Sequence, residues 1–419
     1  MTDAREMRHP SPGERLRLLE VVGNGIVGGM ESVVARLVER LPHDRYDITA
    51  LCPFESRFTT ALRQRDVEVF VTPMSQDPAW SSIHMACTLM QSASVDIVHA
   101  HLANAHVLAA VAGRLTGTPV LATIHERHPS LLDLQAHRLA RTHLAVVSPH
   151  SYHQALGLGV EASLLSCVPN GVDTQVFRPS RTTPAQTELR ASLGIPAGAP
   201  LVGFVGRLTP DKGPEVFVRS ALLLRIVAPD VHLVLVGDGP MRAELLASIA
   251  RFELGDRVHL AGLREDMCSV YRQLDLLVSS SFSEGMPLVV LEAMASGLPV
   301  VATQVGGVVD VVEQGETGWL VAPGDFDGLA GTVARALAAP DELLRMGVRA
   351  RERAVAHFDL SDHVSQTDRL LTQLAGLRVD RTLRSIGGPA PPVAVDRVGP
   401  SARHDSIPAA FHNNRNNEP

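Results

Sequence analysis

Cysteine is scarce in this chain: four residues in 419, at Cys52, Cys87, Cys167 and Cys268, with no Cys-x-x-Cys among them. That spacing supplies neither a disulfide framework nor a zinc site, and it fits a reducing compartment. Long apolar runs are missing as well. No uninterrupted stretch approaches the roughly 20 residues that a bilayer-spanning helix needs. The start of the chain is polar and carries no apolar segment of the signal-peptide kind, so no such signal is expected. Positive charge is not in excess: the formal net charge is −7, which argues against a nucleic-acid binder. These absences leave a soluble, cytoplasmic protein, at most peripheral at the inner face of a membrane. With 45% hydrophobic residues the chain can bury a large core, and its length suggests two domains or more.

Short apolar runs alternate with helical periodicity, and the alternation occurs twice. The first series predicts strands at 16–22, 46–52, 67–71, 95–99, 120–124 and 144–148, with helices between them. The second predicts strands at 201–205, 231–236, 258–260, 274–279, 300–302 and 319–321. Such a pattern predicts an α/β fold of two Rossmann-like domains with parallel sheets, placed here at 14–177 and 201–360. The interval between them, Val168-Pro169-Asn170-Gly171-Val172-Asp173 through Pro200, is rich in Pro, Gly and Thr. It reads as a hinge, with 178–200 as the linker. The first 13 residues and the stretch 378–419, with its Pro- and Asn-rich runs, are expected to be unstructured.

The second series holds the most informative stretch, Ser283-Glu284-Gly285-Met286-Pro287-Leu288-Val289-Val290-Leu291-Glu292-Ala293-Met294-Ala295-Ser296-Gly297. It follows a buried strand and predicts a helix opening at Pro287, where a missing N–H does no harm, and closing at Gly297. The free N–H groups of its first turn, around Met286 to Val289, are suited to an anion. A lone glutamate beside them would be an ordinary solvated side chain. Two of them, Glu284 and Glu292, framing such a site suggest carboxylates that accept hydrogen bonds from hydroxyls. A ligand carrying both phosphates and hydroxyls is a nucleotide sugar.

Other groups point the same way or compete. Gly206-Arg207-Leu208-Thr209-Pro210-Asp211-Lys212-Gly213 follows a strand and offers two cations beside close-approach glycines. Gly23-x-Gly25-x-x-Gly28 matches a dinucleotide fingerprint and keeps an NAD-dependent oxidoreductase in play. That site wants an acidic residue closing the second strand, whereas here Glu55 comes late and beyond Pro53. His99, His101, His106, His125 and His128 cluster at expected strand ends. No acidic residue accompanies His99-x-His101 at a metal-ligand spacing, so no metal site is expected. His137, Arg138, Arg141 and His143 could give a helix a basic face, for weak peripheral contact with an anionic membrane.

Glu284, seven residues and Glu292, set within Ser-Glu-Gly-Met-Pro…Leu-Glu-Ala-Met-Ala-Ser-Gly-Leu-Pro-Val-Val-Ala, resemble the donor-site signature of the retaining glycosyltransferases of family GT4. Pro169-Asn170-Gly171-Val172-Asp173…Phe177-Arg178-Pro179 is similar to the linker of that family, and the resemblance covers roughly residues 15–375. It implies the GT-B fold, with donor binding in the second domain and acceptor binding in the first. A final helix at 361–377 should cross back to the first domain. It implies a retaining, metal-independent transfer from a nucleoside-diphosphate sugar, used as co-substrate with no further cofactor. The acceptor would be a saccharide, a lipid-linked or a small molecule, in polysaccharide or glycoconjugate biosynthesis. By the same resemblance Arg207 and Lys212 hold the donor diphosphate, Glu284 the sugar hydroxyls and Glu292 the ribose. Gly28 and Gly29 approach donor phosphate or acceptor, and His125 lies near the transferred sugar. Thus His125, Glu284, Arg207 and Lys212 are the expected catalytic residues. Gly28, Gly29, Gly206, Gly285, Met286, Pro287, Leu288, Val289 and Glu292 complete the donor site, with His101 on the acceptor side. The oxidoreductase and a non-catalytic nucleotide-sugar-binding protein remain as alternatives.

Overall fold

Both series of apolar runs form open, wholly parallel sheets. The structure is a computed structural model that describes residues 15–26, 28–179 and 188–384, with side chains through 376. The first sheet contains β1 (Leu16–Val22), β2 (Tyr46–Cys52), β3 (Glu68–Val71), β4 (Ile97–His101), β5 (Val120–Ile124), β6 (His143–Val146) and β7 (Leu165–Cys167). The second contains β8 (Leu201–Val205), β9 (His232–Val236), β10 (Val258–Gly262), β11 (Leu276–Ser279), β12 (Val300–Thr303) and β13 (Gly318–Val321). Their spatial orders are β3-β2-β1-β4-β5-β6-β7 and β10-β9-β8-β11-β12-β13. Helices connect successive strands, so the central strands are buried on both faces and read as continuous apolar runs.

In each sheet the strand order reverses once, between β1 and β4 and between β8 and β11. Ligands of open α/β sheets bind outside the carboxyl ends of strands at such a switch point. The loops leaving β1, β8 and β11 carry the glycines at 23–29, the loop at 206–213 and Glu284, while His101 ends β4 and His125 directly follows the adjacent β5. Topology alone therefore gathers the candidate residues at the mouths of two crevices.

Several boundaries differ from the sequence pattern. β4 runs Ile97–His101 rather than 95–99, because β1 hydrogen-bonds alongside it with Val22 opposite His101. His99 and His101 thus lie inside a strand, two apart and on one face, not beyond its end. β7 is a three-residue strand too short to leave a periodic signal. The helix Leu288–Ala295 begins one residue after Pro287, which caps it in an extended conformation. In the linker the helix Glu188–Ser192 packs Leu189 into the second domain's core, while 180–187 lie outside the described residues.

The last helix, Leu360–Arg384, starts where expected but continues past 377. The remainder of the stretch expected to be unstructured, and residues 1–14, lie outside the described residues. Leu360, Val364, Leu370, Leu371, Leu374 and Ala375 form the apolar stripe of this helix. That stripe joins one core cluster with Val34, Leu37, Val38 and Ile48 of the first domain. The Tyr46 hydroxyl adds a hydrogen bond to Asp368 Oδ1 at 2.7 Å. Beside the helix's start, Val172 exchanges two backbone hydrogen bonds with the chain, to Phe358 O at 2.8 Å and from Leu360 N at 3.0 Å. The two chain crossings between the domains are thereby tied together. Among the described residues no helix is long and apolar enough to cross a membrane.

Candidate active site

The loop after β8 and the loop after β11 meet through opposite charges. Lys212 Nζ donates to both carboxylate oxygens of Glu284, at 2.8 and 2.9 Å, and Ser281 Oγ donates to Oε1 at 2.7 Å. Lys212 stands on a short 3-10 turn, Pro210–Lys212, closed by Gly213 at φ +61°. A Cβ on Gly213 would lie 2.2 Å from the Ser280 carbonyl oxygen, so only glycine lets the two loops touch. Glu284 is buried, and the Lys212 side chain is partly exposed. No backbone acceptor takes the N–H groups of Leu288 and Val289 among the described residues, as expected for a first helical turn. Asn170 from the linker fixes the approach to that turn by donating to Met286 O at 3.0 Å.

The first domain presses against this start. Gly285 has no room for a side chain: its Cβ would stand 2.0 Å from the His125 carbonyl oxygen. His125, at the end of β5, is therefore held beside the Glu284 loop. Gly28 lies near Arg207, whose Nη2 is 3.2 Å from where a Gly28 Cβ would be, and Gly29 faces Leu288 at 3.6 Å by the same measure. Gly206 packs its carbonyl oxygen against Gly237. The structure thus brings Gly28, Gly29, Arg207, Lys212, Glu284, Gly285, Leu288 and His125 around one crevice.

Glu292, one turn beyond Leu288 on the same helix, has other partners. Its carboxylate accepts from the Tyr271 hydroxyl at 3.0 Å and from Arg36 Nη2, on the first domain's opening helix Gly29–Arg40, at 3.4 Å. Burial raises its pKa against the opposing pull of Arg36. Arg36 also lies 5.5 Å from the centre of the Phe177 ring, a cation–π contact that helps anchor it between the domains.

The expected absence of an acidic partner for His99-x-His101 is corrected by the fold. β1 places Glu20, wholly buried, between the two rings: His99 Nδ1 lies 3.1 Å from Oε1 and His101 Nε2 2.9 Å from Oε2. These three side chains form a group that could hold a metal ion. Yet each ring nitrogen already has a partner. His99 Nε2 is 2.8 Å from Thr123 Oγ1, and His101 Nδ1 is 2.9 Å from His125 Nε2. His363 of the last helix, with Val33, Leu37 and Thr367, walls the small cavity beside them. In the sequence Glu20 shows only as a charge within the apolar run Leu18-Leu19-Glu20-Val21-Val22, and no local motif marks it as functional.

Among the described residues His106 and His128 have partners only within the first domain. His106 bridges Asp133 and Thr142, both at 2.9 Å. The basic face expected from His137, Arg138, Arg141 and His143 does not form. His137 is buried against Thr142 O, His143 is within 2.8 Å of Ser166 Oγ, and Arg141 is paired with Glu161. The NAD reading also loses its acidic residue, because Glu55 is held by Arg63 at 2.7 Å through both oxygens.

Two further signals are present in the sequence without standing out there. Lys212 is the only lysine in the chain; the rest of its 38 basic side chains are arginine. Glu31 is 3% exposed, its pKa raised by burial against the pull of Arg207 across the crevice.

The buried histidines make folding sensitive to acid. Burial holds His101 and His143 down to about 4, against 6.5 ordinarily. Burial would raise Glu20, but the charge of His99 and the hydrogen bonds from both imidazoles outweigh it and hold the carboxyl at about 2. Unfolded histidines take up protons near 6.5 while these resist until about 4. Their contribution to stability is complete above 6.5 and is lost as pH falls toward 4. The Glu20 contribution is complete above 4.5 and is lost toward 2. The melting temperature is expected to drop steadily between about pH 7 and 4.5 in scanning calorimetry. A flat profile would contradict the buried neutral rings.

Two Rossmann-like sheets facing a crevice, with a cation–carboxylate pair over a free helix start, define a GT-B transferase. Residues 27–176 match the family model described as Glycosyltransferase Family 4, and residues 185–353 match the one described as Glycosyl transferases group 1. The chain belongs to the group 1 glycosyltransferases of family 4 and is a glycosyltransferase. It is 33% identical to the D-inositol 3-phosphate glycosyltransferase of Nocardia farcinica, over 78% of this chain and 71% of that protein. It is 26% identical to the UDP-Gal:alpha-D-GlcNAc-diphosphoundecaprenol alpha-1,3-galactosyltransferase of Escherichia coli, covering 85% of this chain and 96% of the relative. Among solved structures, Anabaena HepE in complex with UDP-glucose superimposes with a TM-score of 0.76 at 26% identity. That match covers 86% of this chain and all of the other.

Proposed function

We propose that the protein moves a hexose from a UDP-sugar to a saccharide or lipid-linked acceptor, with retention of configuration at the transferred carbon and without a metal ion. The observation that carries this reading is the Lys212–Glu284 pair beside the unengaged N–H groups of Leu288 and Val289. Cations and helix dipole would take the charge that develops on the leaving diphosphate, the electrostatic device such a reaction needs. Glu284 would accept from sugar hydroxyls, and Glu292 from the ribose through lone pairs that Tyr271 and Arg36 leave open. His125 would face the transferred sugar. In a same-face displacement the bond from the anomeric carbon to phosphate oxygen breaks as the acceptor oxygen bonds to that carbon. The acceptor proton passes to the leaving phosphate. The choice of uridine and hexose is supported by the UDP and UDP-glucose complexes of Anabaena HepE and the UDP-Gal donor named for the Escherichia coli relative.

The test is calorimetric titration with UDP, GDP and ADP beside steady-state kinetics in EDTA. UDP should bind tightest and turnover should survive the chelator. Arg207→Ala removes a charge-assisted contact of about 1.5–3 kcal/mol and should weaken UDP binding roughly ten- to a hundredfold. Glu284→Gln should spare UDP affinity while cutting turnover. Tighter binding of GDP or ADP, or UDP affinity unchanged in Arg207→Ala, would overturn the assignment.

A further inference from the structure

We propose that Glu20 and His101 are positioning residues for the transfer reaction: a buried carboxylate–imidazole–imidazole chain that fixes His125 as its Nε2–H tautomer and presents a bare Nδ1 to the crevice. The inference deepens the reading of His125 given above and rests on it.

Only the carboxylate end of this chain has no choice of role. An ionised carboxylate can only accept hydrogen bonds, so both imidazole nitrogens that face Glu20 must carry a proton. One of them is His101 Nε2, 2.9 Å from Oε2. A neutral imidazole with a proton on Nε2 has a bare lone pair on Nδ1. That Nδ1 lies 2.9 Å from His125 Nε2, which must therefore be the donor. His125 then has its own proton on Nε2 and its lone pair on Nδ1. The low pKa values of Glu20 and His101 agree with an ionised carboxylate and a neutral ring near neutral pH.

The geometry keeps the chain in place. Glu20 and His101 are 0% and 1% exposed, each inside a central strand at the sheet's switch point. The second oxygen of Glu20 is engaged by His99, itself within 2.8 Å of Thr123 Oγ1, so the carboxylate cannot rotate away. The rings of His101 and His125 lie parallel within 29°, their centres 5.2 Å apart. His125 Nδ1 has no partner among the described residues, and it is not among the polar atoms sealed from solvent. A bare nitrogen there accepts from a hydroxyl and opposes a phosphate oxygen. The group that meets His125 is thus a sugar or acceptor hydroxyl, not the diphosphate. A device of this kind removes a competing tautomer before the substrate arrives, which is preorganisation rather than new contact.

The direct test is a nitrogen–proton NMR correlation of the full-length protein labelled with ¹⁵N-histidine at about pH 7.5, above the ordinary imidazole range. His125 is assigned by the signal that His125→Gln removes. The expected spectrum shows His125 protonated on Nε2 alone. Protonation on Nδ1, or on both nitrogens, overturns the proposal, and the tautomer itself is read from the unaltered protein. In Glu20→Gln the amide offers one acceptor and one donor, so it cannot receive both imidazole protons. The His125 signal should move toward the other tautomer, and kcat should fall about tenfold, the scale of one hydrogen bond. UDP affinity should stay within about twofold of wild type, since the altered group faces the sugar rather than the phosphates. Glu20→Asp, which keeps the carboxylate, should restore part of the rate. A Glu20→Gln protein whose His125 keeps its tautomer overturns the relay even if its melting temperature falls. The two readings separate cleanly: His125→Ala with unchanged turnover refutes the role of His125, whereas a wrong tautomer in wild type refutes the relay.

Discussion

Replacing Lys212 by alanine is expected to lower kcat by about 10²–10³, the range for loss of a preorganised charge at a developing anion. Affinity for UDP should fall about tenfold at the same time, the scale of one charge-assisted contact. The loss would have two sources. In the proposed site the ammonium takes up charge on the diphosphate, and in the structure it holds both oxygens of the buried Glu284, which would otherwise lack its counter-charge. Arginine should rescue poorly, since a planar fork cannot reproduce a compact ammonium on that carboxylate. Because the two side chains act as one unit, Lys212→Ala and Glu284→Gln should be far from additive in a double-mutant cycle of kcat. Strict additivity would mean that the contact seen here plays no part in turnover.

Gly285→Ala is expected to reduce kcat by about a hundredfold while UDP binding survives in large part. The added methyl would stand 2.0 Å from the His125 carbonyl oxygen and 3.0 Å from that of Glu126, so the two domains must part locally. Displacements near about 1 Å at a reacting centre cost about that much. The diphosphate site proposed at Arg207, Lys212 and the helix start belongs to the second domain and should feel the change less. Kinetics beside calorimetry measures both quantities. Normal turnover in Gly285→Ala would show that His125 need not lie against the Glu284 loop.

Much of this site was legible because the residues near it are adjacent in sequence. Glu284, Gly285 and the helix start share one strand–loop–helix unit, and the loop at 206–213 shows both of its cations in one short segment. What could not be read were contacts between distant segments. Glu20 meets His99 and His101 only because β1 lies beside β4 in the sheet order, and nothing local in Leu18 to Val22 announces it. Arg36 meets Glu292 across the two domains, a pairing that no periodicity encodes. The basic face failed for the opposite reason. Its histidines and arginines stand close in sequence, but His137 and His143 were drawn inward by Thr142 and Ser166. Short elements such as β7 carry too few residues for a period to show.

The central claim is that the donor diphosphate lies against Lys212, and the composition of the chain provides a clean probe. Lys212 is the only lysine, with 30% of its side chain exposed, so an amine-acylating reagent has one side-chain target. The N-terminal amine, on a different peptide, serves as internal control. The measurement is the rate of acylation of the Lys212 peptide by mass spectrometry, with and without saturating UDP. Direct contact with the diphosphate predicts at least about tenfold protection by UDP, the occupancy effect of a saturating ligand, with the N-terminal amine unaffected. An unchanged rate at Lys212, under conditions where calorimetry shows UDP bound, would contradict it.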